Sequence, residues 1–576
     1  MGNEPVWLGA ASTKLRLVGR LPRRGVTRWK PALVLGMTLV VLAACSSGGD
    51  GRTSGPSVEP DEVTPGGKVV YGLEAETTGG WCLPKAFLVT PGIQVARAIY
   101  DTLTVPNADG EYVPYLARSV EPNKDYTEWT IELREGVTFH DGSPLTAEVV
   151  KNNLDAYAGR YPGLEVTLFE FVFANLETIE ATGPLTVTIT TKTSWASFPS
   201  FLYMNGRVGI MAQSQLDSKQ CNSDMVGTGP FVKREWKVND RFRAEKNLDY
   251  WQEDPNGIPL PYLDEIEFRA LEEDTARYRS LRSGDYSLMH TSTARDIESI
   301  RKKTESGKLN NVESDEYAEV NHVMLNVSAP PFDSLTARMA LAYAVDREEL
   351  NQLNSNGIRR VASGPFAPGN MGYLEDPGFP EHDLERAKEL VAQYEKESGQ
   401  PFRMAFAYTP DSATTELVQI LQQLARRAGI EVTLTPLGDQ SSYVVTAVGG
   451  KYQAMVFRNY PGGDPDLNYV WWYGTMGDAG ALNIVNFGKF NDPEINRLLD
   501  EGRAESNPEK RRVIYEDLNR VFGEQLYDIW GWWTLWSIAS QPDVFGVMGP
   551  PLPDGGGDPF PGLGAGHPVL GLWVAR

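Results

Sequence analysis

The chain holds few of the residues that most often carry catalysis. Cysteine occurs three times in 576 residues and histidine five times. No two cysteines stand at CxxC spacing. His140, His290, His322, His382 and His567 neither form HExxH nor pair at metal-ligand spacing. Zinc and thiol-exchange chemistry therefore have no support, and no cofactor is expected. Each Gly-Lys pair is followed by Val69, Leu309, Tyr452 or Phe490 instead of Ser or Thr, which excludes a phosphate-binding P-loop. No serine has glycine at both the second preceding and second following positions, so a nucleophile elbow is missing too. Positive charge is scarce: 54 Lys and Arg stand against 76 Asp and Glu, a net −22. Such a surface repels phosphate backbones and gives no attraction to anionic headgroups, so nucleic acid is excluded as a partner. Carboxylate-pair catalysis is the one enzymatic class left open, because sequence does not measure the spacing of two acids. A secreted glycoside hydrolase is therefore carried as a competing class.

What is present begins with an address. Residues 1–44 hold seven basic side chains and one acid, and end in the apolar run 32–44. That run is too short for a comfortable membrane span and fits a secretory signal. Its end, Leu42-Ala43-Ala44-Cys45, resembles the lipobox of bacterial lipoproteins, which implies lipidation at Cys45. Residues 45–67 are rich in Gly, Pro and Ser and read as a flexible tether. The expected location is the outer face of the cytoplasmic membrane. In an exported chain Cys82 and Cys221 form a candidate disulfide, with two free thiols as the alternative.

The body reads as mixed α and β. Trp129, Ile131 and Leu133 alternate with polar residues as a half-buried strand, and Thr146 precedes a helix with Val150, Leu154 and Tyr157 on one face. Strand 402–406, a helix bearing Leu417, Leu421 and Leu424, and strand 430–434 make a βαβ unit. Asn507-Pro508 opens a further helix. Aromatics gather late: Trp471, Trp472, Trp530, Trp532, Trp533 and Trp536 are six of fourteen tryptophans. Tyr460 and Tyr473 flank the first pair on a loop with Gly462, Gly463, Asp464 and Asp466. Rings beside glycines line ligand clefts at low entropic cost, while core packing explains them equally well. Alternation over 528–536 would give one face to core and the other to a cleft.

Four stretches resemble one family. They are LREGVTFHDGSPLTAEVV within 113–153, VGTGPFVKREWKVNDRFRAEKNLDYW at 226–251, LDEIEFRALEEDTARYRSLRSGDY at 263–286 and LNVSAPPFDSLTARMALAYAVDREEL at 325–350. Their order is similar to that in the extracellular solute-binding proteins, family 5, of peptide-type ABC importers. The resemblance implies an α/β bilobed clamp of the periplasmic-binding-protein kind (cluster C). Its first lobe would comprise 68–105, 215–318 and 537–576, with an inserted subdomain at 106–214. Its second lobe would span 319–536. It further implies a binding protein instead of an enzyme, expected as a monomer, that hands an oligopeptide or similar extended solute to permease and ATPase subunits. Peptide-binding members place an acid near Pro461; here Asp464 and Asp466 are the nearest candidates to meet a positive ligand end. Tyr460, Trp471, Trp472 and Trp532 would supply contact area, and Gly79, Gly80 and Trp81 a first-lobe contact. An oligosaccharide is the alternative solute.

Overall fold

Apolar and polar side chains alternate along the chain, and the strands follow. The computed structural model describes residues 62–576 apart from 78, 87, 165, 167, 168, 439, 460, 461, 477–480, 484 and 566. The expected leader, Cys45 and Tyr460 lie outside the described residues. Glu128–Leu133 buries Trp129, Ile131 and Leu133 and exposes or half-exposes the residues between. It joins an antiparallel four-stranded sheet with Ala117–Pro122, Thr186–Thr191 and Leu176–Ala181. Thr146 Oγ1 accepts from the Val149 amide at 3.3 Å, which starts the helix Ala147–Tyr157.

Two larger sheets organise the rest. Their strands are β1 (Lys68–Leu73), β2 (Phe231–Lys237), β3 (Arg241–Lys246), β4 (Glu265–Ala270), β5 (Leu288–Thr291), β6 (Asn310–Ser314), β7 (Val320–Leu325), β8 (Arg403–Tyr408), β9 (Glu431–Pro436), β10 (Ala454–Asn459), β11 (Asp528–Trp533) and β12 (Trp536–Ser540). The seven-stranded sheet runs β6-β12-β5-β1-β4-β3-β2, and the five-stranded sheet runs β9-β8-β10-β7-β11. β1 is parallel to β4 and β5, and β8 is parallel to β9 and β10.

The helix Ser412–Arg427 connects β8 to β9 and completes a βαβ unit. Asp411 caps its start by accepting from the Thr414 amide at 2.8 Å. Gly429, at φ +94°, turns the chain out of the helix, a backbone setting that glycine takes without strain. Leu417, Val418, Leu421 and Leu424 are buried against the sheet. Each apolar side chain removed from water in this way contributes roughly 1.5–3 kcal/mol.

The chain passes from one large sheet to the other twice, between Ser314 and Val320 and again between Trp533 and Trp536. The second crossing interrupts the alternation expected over 528–536. Asp528–Trp533 pairs with β7 and Trp536–Ser540 pairs with β5 and β6, and every residue in both strands is buried. The tryptophan-rich segment thus belongs to both sheets, and one continuous alternation does not run through it.

Candidate functional site

The two large sheets face each other across the ends of their strands. On one side lie the carboxyl ends of parallel β1 and β5 and the start of β12; on the other lie the end of β10, the start of β7 and the end of β11. Open α/β sheets place ligands outside the carboxyl ends of their parallel strands. Side chains at these ends reach across. Arg458, at the end of β10, places Nη2 3.4 Å from Glu74 Oε1 just past β1, and Nε 3.7 Å from Glu319 Oε1. Arg359 Nη2 donates to the Ser292 carbonyl just past β5 at 3.4 Å.

Burial sets the charges here. Burial works to raise the Glu74 carboxyl, but the guanidinium of Arg458, helped by that of Arg277, holds it below its ordinary value. Glu319 is 1 % exposed, and burial pushes its carboxyl up against the opposing pull of Arg458 and the Trp536 indole. Burial lowers His290 to about 4, so its neutral Nε2 accepts the Glu74 amide at 3.1 Å. Aromatic rings floor the site: Arg359 sits 4.5 Å from the Trp532 ring centre and Arg458 5.3 Å from that of Trp536.

The residues named from sequence fall into different settings. Trp532 is in this group. Trp471 is half-buried 5.8 Å from Phe487, which in turn meets Phe457 beside Arg458. Trp472 is 2 % exposed and packs on Phe522 and Phe366, so it serves the core. Asp464 receives both terminal nitrogens of Arg511 at 2.6 Å. Asp466 is fully buried, with Arg503 Nε at 3.0 Å, the Trp195 indole at 3.2 Å and the Ser197 hydroxyl. Neither carboxylate is left to meet a positive ligand end; both fasten their loop to the helices Pro493–Ala504 and Pro508–Gln525. Trp81 is 1 % exposed, with edge contacts to Trp236 and Phe242, and its amide donates to the Asn222 carbonyl. Gly80, at φ +81°, lies so close to Asn222 that an added Cβ would come within 2.7 Å of it. Gly79 has open space at its Cβ position, the freest of the three. Cys82 and Cys221 are joined by a disulfide beside this turn.

Sequence reasoning passed over Glu74, Glu319, Arg359 and Arg458. One signal was present: Arg458 breaks the apolar strand Ala454-Met455-Val456-Phe457, and a cation ending such a strand faces something specific.

The model of the bacterial extracellular solute-binding proteins, family 5 (middle region), matches residues 111–481. The chain belongs to this family of solute-binding proteins, which are binding components of transport systems and not enzymes. It is 26% identical over 440 residues to the glutathione-binding protein GsiB of Pectobacterium atrosepticum, covering 73% of this chain and 80% of that one. Among solved structures it is similar to the binding protein AgaA of A. tumefaciens in complex with agropinic acid, at TM-score 0.75, 25% identity and coverage of 88% and 99%. It also resembles the ABC transporter-associated periplasmic binding protein DppA of Helicobacter pylori in complex with the peptide STSA, at TM-score 0.76, 20% identity and coverage of 89% and 99%. The bilobed α/β clamp is the fold these structures share.

Proposed function

We propose that this chain is the extracytoplasmic receptor of an ABC importer. It holds an oligopeptide or a similar extended solute between its two large sheets and delivers it unchanged to permease and ATPase subunits. Cys45 carries the lipid that keeps the receptor at the outer face of the cytoplasmic membrane, and the residues after it form a leash that ends short of the residue 67 expected from sequence, because Gly66 and Gly67 are bonded to Tyr262 and Asp264. The observation that carries the reading is the meeting of strand ends at Glu74, Arg458, Arg359 and Trp532, where charge and rings from both sheets converge. A solute touching both sides stabilises the closed arrangement, the hinge logic of a two-lobed clamp. Peptide recognition suits such a site because main-chain hydrogen bonds bind while side chains vary. The relatives support the class: one is named for a tripeptide-sized thiol, and one solved neighbour holds a peptide.

Calorimetry of the full chain against a peptide library and against cello- and xylo-oligomers tests the reading. Micromolar binding within the peptide set is expected. Binding confined to the sugars overturns the peptide assignment, and turnover of a chromogenic glycoside overturns the receptor assignment.

A further inference from the structure

Arg359 is a guanidinium whose charge is met by neutral groups alone. Its Nη1 donates to Asn354 Oδ1 at 2.7 Å, its Nη2 donates to the Ser292 carbonyl at 3.4 Å, and its plane lies over Trp532 at 4.5 Å. Among the described residues no carboxylate lies within ion-pair distance of it. The adjacent Arg360 shows the contrast, being paired with Asp315 at 3.1 Å. Arg359 is half-buried, and both its burial and the repulsion of nearby Arg458 weigh against its charge, lowering it to about 10. It remains a cation at neutral pH, held where a second cation converges and where both large sheets contribute atoms. An arginine fork of this kind is shaped to receive a carboxylate through two parallel hydrogen bonds. The opposite charge is spent elsewhere: Asp464 and Asp466 are paired with Arg511 and Arg503.

We infer that Arg359, seated on Trp532, is the anchor for a carboxylate of the bound solute, so that the receptor selects by an acidic end and does not require a free amine. This rests on the reading that the space between the sheets takes a peptide-like solute. It extends that reading by naming the chemical group that qualifies a molecule, and it admits N-blocked and non-peptidic acids.

The test offers full-length protein a peptide digest of casein in three forms: untreated, methyl-esterified at its carboxyls, and N-acetylated. Captured peptides are quantified by mass spectrometry for the wild type, Arg359→Gln and Arg359→Lys. The expected result is capture of the untreated and acetylated digests, with the esterified digest reduced at least about tenfold, the scale of one charge-assisted hydrogen-bond pair. Arg359→Gln should bind the untreated digest about ten- to a hundredfold more weakly and become indifferent to esterification. Arg359→Lys, which keeps the charge and loses the fork, should fall between. Equal capture of esterified and untreated peptides by the wild type overturns the inference and leaves the peptide-receptor reading standing. So does loss of capture on acetylation alone. Capture of none of the three digests overturns that reading, and the inference falls with it. The esterification arm needs no variant, so a folding defect in Arg359→Gln does not blunt the test.

Discussion

Trp536 donates its indole N–H to Glu319 Oε2 at 2.8 Å. The two residues sit on the two separate crossings between the large sheets, and Thr534 adds a second tie through its amide and hydroxyl to the Glu319 carbonyl, at 2.9 and 3.0 Å. The crossings are therefore one hydrogen-bonded unit. Glu319→Ala leaves a buried indole donor unmet and removes a partner of Arg458. It is expected to lower stability by about 1–3 kcal/mol in urea unfolding, whereas Glu319→Gln, which keeps an acceptor, should cost less.

A buried acid should make stability fall as pH rises toward about 8. Burial pushes the Asp528 carboxyl up to about 8, against roughly 3.9 in an unfolded chain. Between those values the unfolded chain gives up a proton that the folded chain keeps, so stability falls as pH rises and levels off past about 8. His322, 3.5 Å away, works in the opposite direction. Burial lowers it to about 4 from 6.5, so stability is lost as pH falls through that window. The two oppose each other below pH 6.5, and above it the Asp528 contribution stands. Chemical unfolding should show a decline of about 1–2 kcal/mol from pH 6.5 to 8. Asp528→Asn should flatten it; an unchanged slope would refute the assignment.

The Asp466–Arg503 pair should govern folding and not affinity. Both side chains are nearly inaccessible, at 0 % and 6 % exposed, and Arg503 also lies over the Trp195 and Tyr469 rings. Removing one member strands the other, so Asp466→Ala is expected to cost about 3–5 kcal/mol. Whatever folded protein remains should bind a test peptide as the wild type does. A loss of affinity at full folding would return Asp466 to the binding site.

Local order was plain in the sequence where one physical signal acted alone. Thr146 and Asn507 cap the helices that follow them because a short polar side chain before an apolar periodic run has one best use. The βαβ unit followed from periods of two and 3.6 in succession. The segment 528–540 was harder, because buried strands in either sheet look alike and nothing local marks a change of sheet at Thr534. The site was least legible. Asp464 and Asp466 look available on a loop, and their arginines arrive from 47 and 37 residues further on, respectively. Glu74 and Arg458 are 384 residues apart, and only the pairing of whole sheets brings them together.

The disulfide between Cys82 and Cys221 spans a sequence separation of 139 residues. Closing so long a loop restricts the unfolded chain, and the joint Cys82→Ala and Cys221→Ala variant is expected to lose about 3–5 kcal/mol on that account. The bond holds the Gly79–Trp81 turn against Asn222, so proteolysis near residue 80 should rise in the same variant. Reduction of the wild type should reproduce both changes. A variant as stable as the wild type would mean that the Trp81 packing secures this turn unaided.

The bond between Arg458 and Glu74 joins the end of β10 to the end of β1, so it exists only while the two sheets are close. Their side chains are 32 % and 21 % exposed, so water screens the pair and its worth is about 0.2–1 kcal/mol. That is too little to hold a clamp shut alone and enough to shift an open–closed balance by up to roughly fivefold. Glu74→Gln should therefore enlarge the solute-free molecule in small-angle scattering without changing its unfolding midpoint. Saturating peptide should bring the radius back to the wild-type value, because contacts to both sheets then replace the lost bond. Arg458→Gln should act in the same direction, and the double variant should exceed the larger single effect by little, since both changes remove one interaction. If Glu74→Gln leaves the profile unaltered with and without peptide, the pair is a surface bond of the closed shape and exerts no pull on it.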